Sequence, residues 1–310
     1  MQAVRERLTK EEEQSAPNRS SWTIREALDW TTQYFRQAGI ANSRFEAEEL
    51  LAHALKSSRL TLYVNPTRVL DPEESVHFRE LIQKRKAGTP SAYLVGDVDF
   101  VNVRLRVNPH VLIPRAETEE LVERILNDFN ARGHQQHEAV ALLDLGTGSG
   151  AIAIALLKSW PAAQAVAVDI SADALDIAQE NALANGVAER ITLLLSDWAA
   201  AVTGIFDLVV ANPPYIPTEE LEGLSNEVTD HEPRLALDGG LRGTREIERL
   251  LQQVPHILKP GGFLYLEIGY NQGEAVHNLL SKSCSFSEWE VFPDLAGRDR
   301  MIRAIRTKEE

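Results

Sequence analysis

The chain has 310 residues, 44% of them hydrophobic and 25% charged, enough for one large globular domain and a smaller one. Its net charge of −14 argues against a nucleic-acid enzyme, which carries a basic stripe to neutralise phosphates; no basic run here exceeds Lys84-Arg85-Lys86, read as a solvated helix end. The single cysteine, Cys284, cannot close an internal disulfide and reads as a small packed residue, and no signal-peptide pattern or long apolar span is present, so a cytoplasmic protein with no membrane partner is expected.

Residues 1–20 are polar, charge-dense and free of aromatics, the composition of a disordered extension. Helix signals follow. Thr23-x-x-Glu26 and Ser43-x-x-Glu46 have the form of capping boxes, and Asp71-Pro72-Glu73-Glu74 reads as an N-cap, a first-turn proline and a negative first turn. Apolar residues recur at helical spacing in Leu28, Phe35 and Ala38, and again in Leu50, Leu51 and Leu55. Residues 21–88 therefore read as a bundle of four or five short helices, either a substrate-recognition domain or a packing appendage. Between Pro90 and Pro109 the pattern alternates with period two across Gly96-Asp97, which predicts a β-hairpin linker over residues 89–112.

From residue 113 onward the signals are those of an α/β domain with a largely parallel sheet. Strands are expected near 140–145, 165–169, 191–195, 206–211 and 262–268, with a final pair near 286–293 and 299–306. The first strand runs into Asp144-x-Gly146-Thr147-Gly148-x-Gly150 and then an apolar helix. These glycines permit close approach of a ligand to the main chain. A dinucleotide fingerprint would place a pyrophosphate there, but Asp144 repels phosphate and suits an ammonium group. Asp169 ends the next strand, the usual position of a carboxylate that pairs with ribose hydroxyls. A ligand with a ribose, an amino-acid ammonium and no phosphate is S-adenosylmethionine. The apolar run Phe206–Ala211 then stops at Asn212-Pro213-Pro214-Tyr215. Proline removes a backbone donor and fixes φ, so the carbonyls of Asn212 and Pro213 are held as acceptors beside an amide and an aromatic face. Such a site suits a planar nitrogen with two N–H donors. The alternative at this point is a proline-rich turn ending a strand.

The combined pattern resembles the class I S-adenosylmethionine-dependent methyltransferases with their Rossmann-like domain, and within them the amino-methyltransferases. The segment Val111-Leu-Ile-Pro-Arg115-Ala-Glu117-Thr118, the glycine motif, Asn212 to Tyr215, Glu232-Pro233 and Gly261-Gly-Phe-Leu-Tyr-Leu-Glu267 match, in order, the protein-(glutamine) methyltransferases of peptide chain release factors, the HemK/PrmC family. The resemblance covers roughly residues 22–306. It implies methyl transfer to the side-chain amide of the glutamine in a Gly-Gly-Gln loop, with the release factor as partner and no direct nucleic acid. Carried over, Asn212 and the Pro213 carbonyl hold the glutamine amide, and Pro214 and Tyr215 complete the substrate subsite. Gly146, Thr147, Gly148 and Gly150 line the methionine part of the cofactor, which Asn212 also borders. Asp169 takes the ribose, Trp198 flanks the adenine and Asp144 attracts the ammonium. Ile113-Pro114-Arg115 and Glu117 close over the cofactor, and Phe100 forms an apolar wall of the cleft. No metal is implied. Three rival readings remain: a glutamine methyltransferase of a large-subunit ribosomal protein, a DNA amino-methyltransferase, and a non-catalytic protein that keeps the fold.

Overall fold

The computed structural model describes residues 22–133 and 138–308; the extension expected over residues 1–20 lies outside them. The chain divides into two compact units between Val95 and Gly96.

The first unit is helical: α1 (Ile24–Gln37), α2 (Ser43–Ala54), α3 (Arg59–Val64), α4 (Pro72–Lys86) and α5 (Ser91–Val95). Thr23 and Glu26 form the capping box of α1, and Asp71 and Glu74 that of α4, with Pro72 in its first turn. The box expected at Ser43 does not form. Asn42 precedes α2 in the left-handed region at φ 50°, Ser43 Oγ donates back to the Ile40 carbonyl, and Glu46 takes the Arg85 guanidinium instead. That pairing draws Arg85 into the interior, so the basic run at the end of α4 is not wholly solvated. Trp22, Leu28, Phe35, Leu50, Leu51, Leu62, Phe78 and Ile82 share one core, each such side chain contributing about 1.5–3 kcal/mol on burial.

The second unit opens on a two-stranded hairpin, β1 (Asp97–Phe100) and β2 (Val103–Arg106), in which Phe100 pairs with Val103 across a turn at Val101-Asn102. The expected turn at Gly96-Asp97 is instead the junction between α5 and β1, because Ser91–Val95 is helical. The other elements are α6 (Ala116–Ala131), β3 (Ala141–Leu145), α7 (Ala151–Ser159), β4 (Gln164–Asp169), α8 (Ala172–Ala184), β5 (Ile191–Leu195), β6 (Phe206–Ala211), α9 (Asn226–Thr229), α10 (Arg245–Gln253), β7 (Leu258–Glu267), α11 (Gly273–Lys282), β8 (Phe286–Pro293) and β9 (Asp299–Arg306).

Seven strands form one sheet in the order β5-β4-β3-β6-β7-β9-β8, parallel from β5 to β7 and closed by the antiparallel pair at the far edge. Alternation along the strands divides the core between the two faces. Leu142, Leu208, Val210 and Tyr265 point to one face, with Leu121, Ile154 and the hairpin residues Phe100 and Leu105; Leu143, Val209, Leu264 and Leu266 point to the other, with Ile247, Leu250 and Val276. Burial on both faces explains the near-continuous apolar runs in the sequence. Strand order reverses between β3 and β6, and in open α/β sheets ligands bind outside the carboxyl ends at such a point. Leu145 pairs with Ala211 and Ala211 with Leu266, so the next residues of three adjacent strands, Gly146, Asn212 and Glu267, lie side by side at that rim.

Candidate active site

A cavity of about 490 Å³ opens at these strand ends, within the 300–1,000 Å³ typical of small-molecule sites. Gly146, Thr147, Gly148, Asp169, Trp198, Asn212 and Pro214 all line it. Gly146 is required twice over: its φ is +77°, and an added Cβ would stand 3.1 Å from Trp198 Cζ3. Gly150 begins α7 at φ +82°, where a Cβ would meet Ile154 Cδ1 at 2.7 Å, so it shapes the turn from behind rather than facing the cavity. Asp169 accepts from Gly148 N at 2.8 Å through one oxygen and from Ser171 N at 2.9 Å through the other. Burial holds the Asp169 carboxyl above the usual range. Trp198 adopts φ 51°, and its indole nitrogen donates to Glu246 Oε2 at 2.8 Å, which fixes the ring against the cavity.

Behind Asn212 lies a buried polar relay. The Asn212 side-chain nitrogen donates to Thr118 Oγ1 at 3.0 Å, Thr118 donates to Glu267 Oε2 at 2.7 Å, and the Tyr215 hydroxyl donates to Glu267 Oε1 at 3.0 Å. Burial pushes Glu267 up to about 7, against the two hydrogen bonds and the Arg300 charge that favour its ionised form. Burial, with Glu267 beside it, holds the Tyr215 phenol well above its ordinary value. Gln272 bridges Gly269 N and the Tyr215 carbonyl, fixing the main chain after the tetrapeptide.

Residues 26–96 match the model of the PrmC N-terminal domain, and residues 125–242 that of the methyltransferase small domain. The release factor glutamine methyltransferase of Moorella thermoacetica is 42% identical over 93% of this chain and the full length of that protein. Those of Geobacter sulfurreducens and Rhodopirellula baltica are 41% and 40% identical over 91% and 92% of this chain, and 96% and 97% of their own. The chain belongs to the release factor glutamine methyltransferases. It is an S-adenosylmethionine-dependent methyltransferase, and its residues fit that cofactor: a strand-end carboxylate, an indole face and a glycine turn share one cavity.

Several expected site residues of this methyltransferase lie elsewhere. Phe100 is 1% exposed, packed with Val103, Leu105 and α6, because the hairpin turns its apolar face into the core; it walls no cleft. Asp144 is fully buried beneath the turn, accepting from Thr147 Oγ1 at 2.7 Å and Ala153 N at 3.2 Å, and burial pushes it up to about 6. Its Oδ1 has no hydrogen-bond partner among the described residues. Arg115 does not line the cavity. It pairs with Glu232, whose side chain is 1% exposed and also accepts from Ile113 N at 3.4 Å, while His110, Val111, Leu112 and Pro114 of the same strap face the cavity. Glu117 lies away from the cavity, near Glu267 and Arg300. Pro213 is buried between the two lining residues Asn212 and Pro214, and Tyr215 turns its hydroxyl to Glu267 rather than into the cavity. Cys284 is exposed rather than packed.

Sequence reasoning missed Glu246, Arg245 and Arg249 at the cavity, the segment Arg234–Ala236 that also lines it, and Asn181, whose amide ties Arg106 of β2 to the Ser149 carbonyl. Thr118 and Glu267 stand within the motifs above, but nothing in the local pattern assigns either of them a role. An acid closing the apolar run Phe263–Leu266, in the same strand-end position as Asp169, was the available signal for Glu267.

Proposed function

We propose that this methyltransferase transfers a methyl group to the side-chain amide nitrogen of the glutamine in the Gly-Gly-Gln motif of a peptide chain release factor. The observation that carries this reading is the position of Asn212, which borders the cavity next to Gly146 and backs onto Thr118. When bound, S-adenosylmethionine supplies an electrophilic methyl group on a sulfonium. Asn212 Oδ1 and the Pro213 carbonyl beside it take the two N–H donors of the glutamine amide, which orients its nitrogen toward that methyl group. Positive charge developing on that nitrogen then meets fixed acceptors, an effect of the oxyanion-hole kind worth roughly 3 kcal/mol per interaction. Orientation can contribute on the order of 7–11 kcal/mol more, and the nitrogen's proton can leave after transfer, so no general base is needed.

Asp169 offers its carboxylate to ribose hydroxyls and Trp198 its face to the adenine, while Asp144, buried beneath the glycine turn, acts on the ammonium through its charge rather than by contact. Arg115 serves by pinning the strap that Glu232 anchors. The helical unit is proposed to recognise the protein substrate, supported by the exposed apolar side chains Leu60 and Val64 of α3. The test separates the release factor from its nearest rival: a purified release factor and a purified large ribosomal subunit are each incubated with enzyme and cofactor. Methyl on the release factor's Gly-Gly-Gln glutamine alone is expected. Methyl on a ribosomal protein alone would transfer the assignment to that substrate.

A further inference from the structure

Asparagine presents an oxygen and an NH₂ group of nearly equal size, and only its partners decide which faces the cavity. A substrate amide offering two N–H donors needs the oxygen. With the NH₂ outward, donor would face donor. We propose that Thr118 and Glu267 are positioning residues that lock Asn212 with its oxygen toward the substrate, and that the carboxylate form of Glu267 is the one that holds the lock. The proposal rests on the reading of Asn212 as the acceptor of the substrate amide.

The argument is a count of protons. Glu267 as a carboxylate has none to give, so the Thr118 hydroxyl, 2.7 Å away, must donate to it. The hydroxyl's single proton is thereby used, and toward Asn212, at 3.0 Å, Oγ1 can only accept. Asn212 must therefore turn its NH₂ to Thr118 and its Oδ1 to the cavity. The other oxygen of Glu267 takes the Tyr215 hydroxyl at 3.0 Å, so one carboxylate orients two members of the tetrapeptide. Thr118 is 4% exposed and Glu267 fully buried, which leaves no competing solvent proton to blur the order.

A proton on the Oε2 of Glu267 reverses the chain. The carboxylic acid donates to Thr118, Thr118 turns its own proton to Asn212, and Asn212 must answer with its oxygen, leaving NH₂ outward. The groups facing Glu267 are Thr118 and Glu117 from α6, Tyr215 after β6, and Arg300 from β9, itself bonded to Asp294 and to the Ile268 carbonyl. Arg300 opposes protonation, while burial and Glu117 favour it, and the balance sits at about 7. The lock therefore opens within an accessible pH range.

The experiment measures kcat, substrate KM and cofactor affinity of the full chain from pH 5.5 to 9 for wild type, Thr118→Val, Thr118→Ser, Glu267→Gln and Asn212→Ala. Thr118→Val keeps the shape and removes the relay; kcat falls at least about tenfold, the size of one lost hydrogen bond, with cofactor affinity unchanged. Thr118→Ser restores it. Wild-type kcat falls toward acid through one ionisation near neutrality, and Glu267→Gln, although slower, lacks that acid limb. A purely structural role would move melting temperature and cofactor affinity but leave no missing limb. Wild-type kcat in Thr118→Val, or an acid limb that survives in Glu267→Gln, overturns the relay while leaving the Asn212 reading intact. Unimpaired transfer by Asn212→Ala overturns that reading and the relay with it.

Discussion

At the residue scale, the site depends on a few side chains that lack substitutes. Asn212 faces the cavity with one amide group while the other is committed to Thr118. Asn212→Ala is expected to lower the transfer rate by about 10²–10³-fold with cofactor affinity kept, a split visible in parallel single-turnover and calorimetric measurements. Gly146 makes a different demand. Its φ of +77° and the Trp198 ring 3.1 Å from a would-be Cβ mean that Gly146→Ala must both strain the turn and displace the indole. The backbone part alone costs about 1–2 kcal/mol. Urea unfolding should show that loss, and titration with S-adenosylmethionine should show weaker binding; an unaltered affinity would mean that the ring yields freely. Glu246 holds the same indole through its ring nitrogen, so Glu246→Ala is expected to weaken cofactor binding without lowering kcat at saturation.

At the element scale, the strap from Asn108 to Arg115 borders the cavity and is tied at both ends. His110 faces Asp173 of α8 at 3.3 Å, and Arg115 and Ile113 N both reach the buried Glu232. Arg115→Ala leaves that carboxylate with the Ile113 amide alone, a costly state for a buried charge. Faster amide exchange over residues 110–114 and a several-fold rise in cofactor Kd are expected; unchanged exchange would show that the strap stands without its anchor. Much of this element order was legible in the sequence. Strands buried on both faces read as apolar runs, and each was expected close to where it lies. Both the glycine turn and the strand-end acid Asp169 announce themselves through spacing. What the sequence hid depends on partners distant along the chain. Glu46 could cap α2 by local pattern, yet Arg85, 39 positions away, takes its carboxylate. Arg115 reads as a cofactor contact until Glu232, 117 positions on, is seen beneath it. Phe100 alternates as a cleft residue would, and only the turn at Val101 decides that its ring enters the core. The relay likewise joins α6, β6 and β7, three segments that no local window contains.

At the scale of the whole molecule, two fully buried carboxylates stand at the active rim, and both are held above their free values: Asp144 at about 6 and Glu267 at about 7. Folded Glu267 keeps its proton through a window in which the unfolded chain, with a free glutamate's 4.5, has lost it. More protons bound in the folded state means that this group's contribution to stability falls as pH rises through that window, and is constant above it. Glu267→Gln removes the dependence. Its stability relative to wild type should therefore climb between about pH 4.5 and 7 and then level, as read by chemical unfolding at several pH values. A difference that stays flat with pH would mean that Glu267 titrates alike in both states. Such a charge is retained at a cost in stability, as is common where function requires a strained or desolvated group. The central claim is that Asn212, set by the fold at the rim of a cofactor cavity, directs methyl transfer to a glutamine amide. The most direct test is tandem mass spectrometry of a purified release factor after incubation with S-adenosylmethionine and either wild type or Asn212→Ala. One methyl group on the Gly-Gly-Gln glutamine with wild type, and none with the cofactor-binding variant, is the predicted result; an equally methylated glutamine with Asn212→Ala would contradict the account.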